Sequence, residues 1–371
     1  MKSRAALLFE SPGRWEVRDV DVDPPKDHEV LVRMVASGLC HSDVHYNIGD
    51  QVTAMPMCGG HEGAGIVEEV GAGVARLKPG DHVVTSFIPS CGHCRYCATG
   101  RQNLCQSGGR LQLGPQLDGT YRMHYEGQGI SQFMLISTFS AWSTVPEQSL
   151  VKVPDDVPLE TVCLLGCGVG TGFGSAVNAA NVRTGDVVIV MGVGGVGINA
   201  VQGAALAGAS AVIAVDPLPF KLEMAAKLGA TKTFGHIDEA AEYARSITDG
   251  QGADSAIVTI DVVTGEHVAQ AFDAVAKGGT VVVTGMASVK AHVGIPVSLL
   301  TLAGYQKRIQ GCLYGMGSPA VDVLREIDLY RAGHLKLDEL ITARYKIDDI
   351  NRAVDDLIEG RNIRGVIMHE H

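Results

Sequence analysis

Two kinds of hydrophobic pattern divide the chain. Through the first 150 or so residues the apolar runs are short, at 30–35, 64–70, 81–87 and 133–137, and are set apart by Gly, Pro and Asp punctuation such as KPGD. Runs of that length between turn residues predict short strands. From about Thr161 the texture changes. Strand-like runs VVIVMG (187–192), AVIAVD (211–216), SAIVTID (255–261) and TVVVTG (280–285) alternate with helix-length segments at 219–230 and 265–279. Strands that are apolar on both faces, alternating with helices, predict a parallel sheet covered on each side. After about residue 310 the alternation stops. Residues 348–360, DDINRAVDDLIEG, predict one amphipathic helix, and 364–369 predict a last strand. The expected class is α/β: a β-rich domain over 1–168, a doubly wound domain over 169–310, and a return to the first domain over 311–371.

Composition narrows the partners. A chain of 371 residues has room for two cores, and 46% hydrophobic with 19% charged residues is an ordinary globular balance. A formal net charge of −11 with no basic run argues against nucleic acid or an anionic membrane as partner. The opening MKSRAALLFESPGRW has five consecutive apolar residues, too few for a secretory core. The stretch between Asp186 and Asp216 carries no formal charge, yet it holds six glycines and divides into two β-branched runs. It predicts a buried strand–helix–strand unit, not a membrane span. The expectation is a soluble, cytoplasmic protein. Nine cysteines, an odd number in that setting, argue against a disulfide framework.

Within the charge-free stretch, VVIVMGVGGVG places Gly192, Gly194, Gly195 and Gly197 after a strand, in G-x-G-x-x-G spacing. The first glycine allows a tight turn, the second lets backbone approach a pyrophosphate, and the last lets helix and strand pack closely. Asp216 ends the next strand, where its carboxylate can accept both ribose hydroxyls of NAD and repel the 2′-phosphate of NADP. A strand-terminal turn residue is the alternative for Asp216.

Two cysteine-bearing constellations remain. Cys91, Cys94, Cys97 and Cys105 follow C-x2-C-x2-C-x7-C with turns available at Gly92 and Gly100. Four thiolates close a tetrahedral zinc shell and leave no position for substrate, which makes such a site structural. A redox pair needs two thiols, not four at regular spacing. The second constellation is scattered: Cys40 in GLCHSDVH, His61 and Glu62 in GGHEGAG, and Cys167 in LLGCGVGTG. Taken singly, each reads as a small buried hydrophobe or a turn residue.

Together with the four-cysteine lobe and the glycine turn, these motifs resemble the zinc-containing medium-chain alcohol dehydrogenases along essentially the whole chain. The first 170 residues are similar to the nicotinoprotein branch, which holds NAD(H) tightly and passes electrons to N,N-dimethyl-4-nitrosoaniline (NDMA). The resemblance implies a GroES-like β-rich domain and a Rossmann domain, and two zincs per chain. Cys40, His61 and Cys167 would hold the catalytic zinc, with Asp43 behind His61 and Glu62 close to the metal. It further implies a proton path through Ser42 and His45, and cofactor contacts from His41, Thr171, Asp216 and Arg364. Phe87 would form a wall of the substrate pocket. For His45 a plain surface histidine, and for Glu62 a structural carboxylate, are the alternatives.

The activity so implied is hydride transfer between an alcohol or aldehyde and NAD(H), in a homodimer or homotetramer. A thiol-dependent formaldehyde dehydrogenase shares the metal ligands. A non-catalytic zinc-lobe binding or structural protein is the alternative from another class, and it would carry one zinc instead of two.

Overall fold

The computed structural model describes residues 1–289 and 294–371, which gather into two compact units. The first comprises Met1–Cys167, Ser318–Gly333 and Leu337–His371; the second comprises Gly168–Gly317 and His334–Lys336.

The first unit holds a closed barrel and a seven-stranded sheet. The barrel runs through Lys2–Leu8, Glu16–Val22, Met123–Tyr125, Gln128–Gln132 and Met57–Cys58. The larger sheet is built around the ten-residue strand Glu29–Gly38, which pairs antiparallel with Glu62–Val70, Trp142–Pro146 and Arg364–Met368. The last of these pairings brings the chain's end beside its first third, with Val366 opposite Gly38. Helix Ile350–Ile358 covers this region by burying Ile350, Ala353, Val354 and Leu357, the i, i+3, i+4, i+7 stripe expected of an amphipathic helix. Those side chains join Ala6, Leu8, Trp15, Tyr46 and Phe139 in one core. Glu29 is also buried, and it is held there by the fully buried Arg122, whose guanidinium forks onto both carboxylate oxygens at 2.6 and 2.7 Å.

The second unit contains a six-stranded parallel sheet in the spatial order Lys232–Phe234, Ala211–Val215, Val187–Met191, Ala253–Val258, Val275–Val283, Arg308–Gly311. Numbered within the unit, that is 3-2-1-4-5-6, the Rossmann order. The charge-free stretch is the expected strand–helix–strand unit: Val187–Met191, helix Gly197–Leu206, Ala211–Val215. Both strands are buried at every position. No single helix among the described residues is long and apolar enough to cross a membrane.

Three local expectations are corrected. The run 133–137 is not a strand: Phe133–Leu135 is a tight turn, and Met134, Leu135 and Ser137 adopt positive φ. Ser137 Oγ accepts the Phe133 N–H at 2.8 Å and donates to the Cys58 carbonyl at 2.6 Å, which curls the chain on itself. The helix expected over 265–279 ends at Ala274, and strand Val275–Val283 begins at once. Val275 is β-branched and Gly278–Gly279 weaken helix, so pairing of Val275 with Ala253 wins. Beyond residue 310 the chain forms a 13-residue helix, Pro319–Arg331, and a strand, Ile341–Lys346, that the pattern had hidden. The helix buries Glu326 and exposes Val321 and Leu324, which spoils its hydrophobic period.

Candidate metal centre and dinucleotide loop

Cys40 ends the long central strand's connection into a short helix, His41–Asn47. Asp43 lies in the first turn of that helix and is fully buried. Its carboxylate gathers two separate chain segments. One oxygen accepts the Cys40 backbone N–H at 3.3 Å; the other accepts the Gly60 N–H at 3.0 Å and faces His61 Nδ1 at 3.4 Å. Gly60 is indispensable here. Its φ is +83°, and a Cβ would lie 2.5 Å from the Phe139 amide nitrogen. The turn it permits throws His61 inward.

The third segment arrives through Gly166. A Cβ at that position would come within 2.7 Å of the Thr85 carbonyl and 3.3 Å of Glu62 Cα, so only a glycine lets the chain lie flat against the Glu62–Val70 strand. Cys167 follows directly. The outcome is that ligand atoms of Cys40, His61, Glu62 and Cys167 all lie within 4.8 Å of one another, and all four residues are buried.

The electrostatics of the cluster suit a cation. With Nδ1 turned to Asp43, His61 presents Nε2, a buried nitrogen with no hydrogen-bond partner among the described residues. Burial opposes a charge on His61, but the Asp43 carboxylate and the Cys40 sulfur outweigh it and hold the imidazole pKa well above its usual value. A hydrogen bond from Cys167 and the nearby imidazole keep the Cys40 thiol well below the normal range. Burial pushes the Glu62 carboxyl up to about 7 against the pull of Arg364. Two buried thiols and an orphaned imidazole nitrogen are the soft and borderline donors that fit zinc, with the Glu62 carboxyl beside them and turned to Arg364.

Aromatic rings close the surroundings. Phe87 meets the His61 ring edge-on at 5.8 Å, and Phe133 does so at 5.3 Å. Tyr46 in turn packs against Phe133 at 4.8 Å. Phe133 was missed in the sequence because its run had the look of a strand, and no spacing links it to His61. His45 is 2% exposed, not a surface residue, and its Nδ1 lies 3.4 Å from the partly exposed Asp50 carboxylate. Ser42 Oγ stands 3.8 Å from Cys40 Sγ, and His41 is half-buried at the start of the helix. Arg364 is buried and ion-paired to Glu62, so its charge is spent at least in part on the metal centre.

The four-cysteine lobe is built by short turns with Gly92 at φ +82° and Gly100 at φ +78°. Sulfur–sulfur distances are 3.9 Å for Cys91–Cys97 and 4.0 Å for Cys94–Cys105. Disulfides would need about 2.05 Å. A tetrahedron of sulfurs about 2.3 Å from a central cation has edges of about 3.8 Å. Backbone N–H groups of Cys91, Cys94 and Cys97 point at the sulfurs of Cys105, Cys91 and Cys94 at 3.4–3.5 Å, which favours thiolate charge. Such amide donors bring the Cys94 thiol down to about 6.

In the second unit, Gly192 turns the chain at φ +85°, and Gly197 packs so closely that a Cβ would sit 1.8 Å from the Gly192 carbonyl. This turn leaves the first strand where the sheet order reverses, the place where open α/β sheets bind dinucleotides. Asp216 is buried beside it. Its carboxylate accepts N–H groups of Val193 and Leu218, each at 3.0 Å, leaving acceptor capacity on both oxygens. Lys221 Nζ lies 4.0 Å from Asp216 and 3.9 Å from where a Gly194 Cβ would be. That cation at the glycine turn was overlooked. Its signal was its place in the first turn of helix Pro219–Lys227, just past Asp216. Thr171 sits in helix Gly168–Gly174 with its Oγ1 buried and unpaired among the described residues.

Comparison with known proteins gives two matches along the chain. Residues 26–155 match the profile of the alcohol dehydrogenase GroES-like domain, and residues 195–328 that of zinc-binding dehydrogenase. The chain is 50% identical over 370 residues to an NDMA-dependent alcohol dehydrogenase of Amycolatopsis methanolica, covering 100% of this chain and 99% of that protein. It is 49% identical to putative alcohol dehydrogenase D of Mycobacterium tuberculosis, with 100% of each covered. The crystal structure of benzyl alcohol dehydrogenase from Acinetobacter calcoaceticus superposes with a TM-score of 0.92 at 31% identity over 100% of both chains.

Proposed function

The chain belongs to the zinc-binding alcohol dehydrogenases, and from that premise we propose that it moves hydride between an alcohol or aldehyde and NAD(H). The observation that carries this reading is the orphaned His61 Nε2 beside two buried thiols, its ring held from behind by Asp43. Cys40, His61 and Cys167 are the three ligands. A zinc in this donor set supplies a Lewis acid with one open position, which acidifies an alcohol hydroxyl.

The chain's own groups do the rest. Asp43 fixes the His61 tautomer and holds both ligand segments in place. Phe87 and Phe133 exclude water and give the substrate an apolar wall. The proton leaves by way of the Ser42 hydroxyl and His45, with Asp50 as the outlet toward solvent. Glu62 stands beside the three ligands, where it would be within reach of a bound metal, and Arg364 balances its charge. On the cofactor side, amides of the Gly192–Gly197 turn would take the pyrophosphate, and the resemblance assigns His41 and Arg364 to the same phosphates. Thr171, with its buried Oγ1 unpaired among the described residues, would stand behind the nicotinamide. Asp216, assisted by Lys221, takes the adenosine ribose and selects NAD over NADP. The four-cysteine lobe would hold a second zinc in a closed shell, with no position left for substrate. The chain would retain NAD(H) between turnovers and would use an NDMA-type external acceptor, as a cytoplasmic homodimer or homotetramer.

The test is to denature the purified protein, quantify zinc and NAD(H), and assay alcohol oxidation with free NAD or with NDMA. Two zincs per chain, released NAD(H) and turnover with NDMA alone are expected. One zinc and no turnover with either acceptor would end the proposal. Replacing Asp216 with Ala should admit NADP; unmeasurable NADP binding in that variant would assign the selectivity to another group.

A further inference from the structure

The helix that follows the glycine turn carries two buried amides that the dehydrogenase reading leaves without a role: Asn199, fully buried, and Gln202, 3% exposed. They form an unbroken chain of hydrogen bonds. Asn199 Nδ2 donates to the Gly195 carbonyl at 2.9 Å. Gln202 Nε2 donates to Asn199 Oδ1 at 3.1 Å and to the Lys336 carbonyl at 3.0 Å. The Lys336 N–H donates to Gln202 Oε1 at 2.8 Å. Lys336 belongs to His334–Lys336, the three-residue stretch where the returning chain joins the second unit between two segments of the first.

The polarity of the chain is forced from one end. A backbone N–H can only donate, so Gln202 must turn its oxygen toward Lys336 N. Its NH2 then faces the Lys336 carbonyl and Asn199 Oδ1. That in turn leaves Asn199 only its NH2 to offer Gly195. The Asn199 backbone N–H goes to the Val196 carbonyl at 3.0 Å, and the side chain takes the Gly195 carbonyl. The Gly195 peptide is thereby pinned in one orientation. The direction of its carbonyl determines where the adjoining amide of the turn points, and that amide is among the donors a pyrophosphate would meet.

We propose that Asn199 and Gln202 are positioning residues of the dinucleotide site. They orient the Gly195 peptide for phosphate and anchor it to the backbone of Lys336. The inference rests on the NAD(H) reading above. Coupling of this kind is reciprocal: a ligand that stiffens the turn must also stabilise the Gln202–Lys336 pair.

The experiment uses the full chain freed of bound NAD(H), with NAD+ added back as the probe, and reads two quantities, NAD+ affinity and amide exchange over residues 335–337. In the wild type, NAD+ should slow exchange at Lys336. Asn199→Leu keeps the Gln202–Lys336 pair but cuts the relay. It should weaken NAD+ binding about tenfold and abolish the NAD+-linked slowing, with zinc content unchanged. Gln202→Met should do the same and also speed Lys336 exchange in the absence of NAD+. If Gln202→Met fails to fold, the wild type and Asn199→Leu decide the matter between them. Unchanged affinity and unchanged NAD+-linked protection in Asn199→Leu would overturn the proposal while leaving the cofactor reading intact. A wild type that contains no NAD(H) and binds none would remove both.

Discussion

The four-cysteine lobe and the Cys40–His61–Cys167 centre use similar donors and reach them by opposite routes. The lobe draws its ligands from fifteen consecutive residues, 91–105, folded by short turns whose glycines have open space around them. Those turns are closed by short-range backbone hydrogen bonds, such as Ala98 N–H to the Cys94 carbonyl at 2.9 Å, and a cation would tie the four sulfurs into one knot. The centre draws on three segments far apart in sequence. Asp43, the Gly60 turn and the flat packing of Gly166 gather them through buried hydrogen bonds and close backbone contacts. Where the metal organises the chain, it contributes folding energy; where the chain organises the metal, the ion is left free for chemistry.

The largest test of this contrast is Cys40→Ser. It should lower alcohol oxidation by about a thousandfold or more and reduce zinc from two to one per chain, with thermal stability nearly unchanged. A variant that retained both zincs and its activity would dissolve the distinction. Cys94→Ser should behave in the opposite sense: the midpoint of thermal unfolding should fall by roughly ten degrees or more, while folded molecules still turn over. An unaltered midpoint with one zinc missing would mean that the lobe folds by itself.

Asp43→Asn probes how far the scaffold prearranges the centre. It keeps every ligand but weakens the grip on His61, so competition with a chelator should show zinc affinity at this site lower by about 10–100-fold, with the lobe's zinc unaffected. Equal loss from both sites would point to general unfolding.

The smallest effect is expected at Glu326, which touches neither cluster. Its Oε2 is buried without a partner among the described residues, and burial, reinforced by Asp322, raises its carboxyl well above the normal range. A raised acid is stabilising below the usual carboxylate pKa and loses that contribution as pH rises through the folded value. Glu326→Gln should therefore stabilise the protein by about 1–3 kcal/mol at mildly alkaline pH and by progressively less as the medium becomes acidic, with both zincs retained. Denaturant unfolding across pH reads this directly; a gain that grew toward low pH would contradict the sign.

Parts of the molecule were legible before any coordinates. Apolar runs with helix-length gaps marked out the parallel sheet, and the glycine spacing located its turn. Cysteine spacing exposed the lobe because all its ligands are neighbours in sequence. Helix Pro319–Arg331 escaped notice because a buried glutamate and two exposed aliphatics invert its pattern. Phe133 escaped because a hydroxyl from Ser137 curls a short apolar run that its pattern alone would leave extended.

Local order in the sequence thus determined the strands and helices of the parallel sheet, the Rossmann turn and the donors of the lobe, since each depends on residues within about one turn or strand of one another. The tertiary structure alone decided which scattered residues meet. It set Asp43 behind two ligand segments, paired Arg364 with Glu62, placed Lys221 at the glycine turn, and joined Gly195 to Lys336 through two amides. Those meetings depend on close packing of glycines and on buried hydrogen bonds across long stretches of chain, which no periodicity along the sequence records.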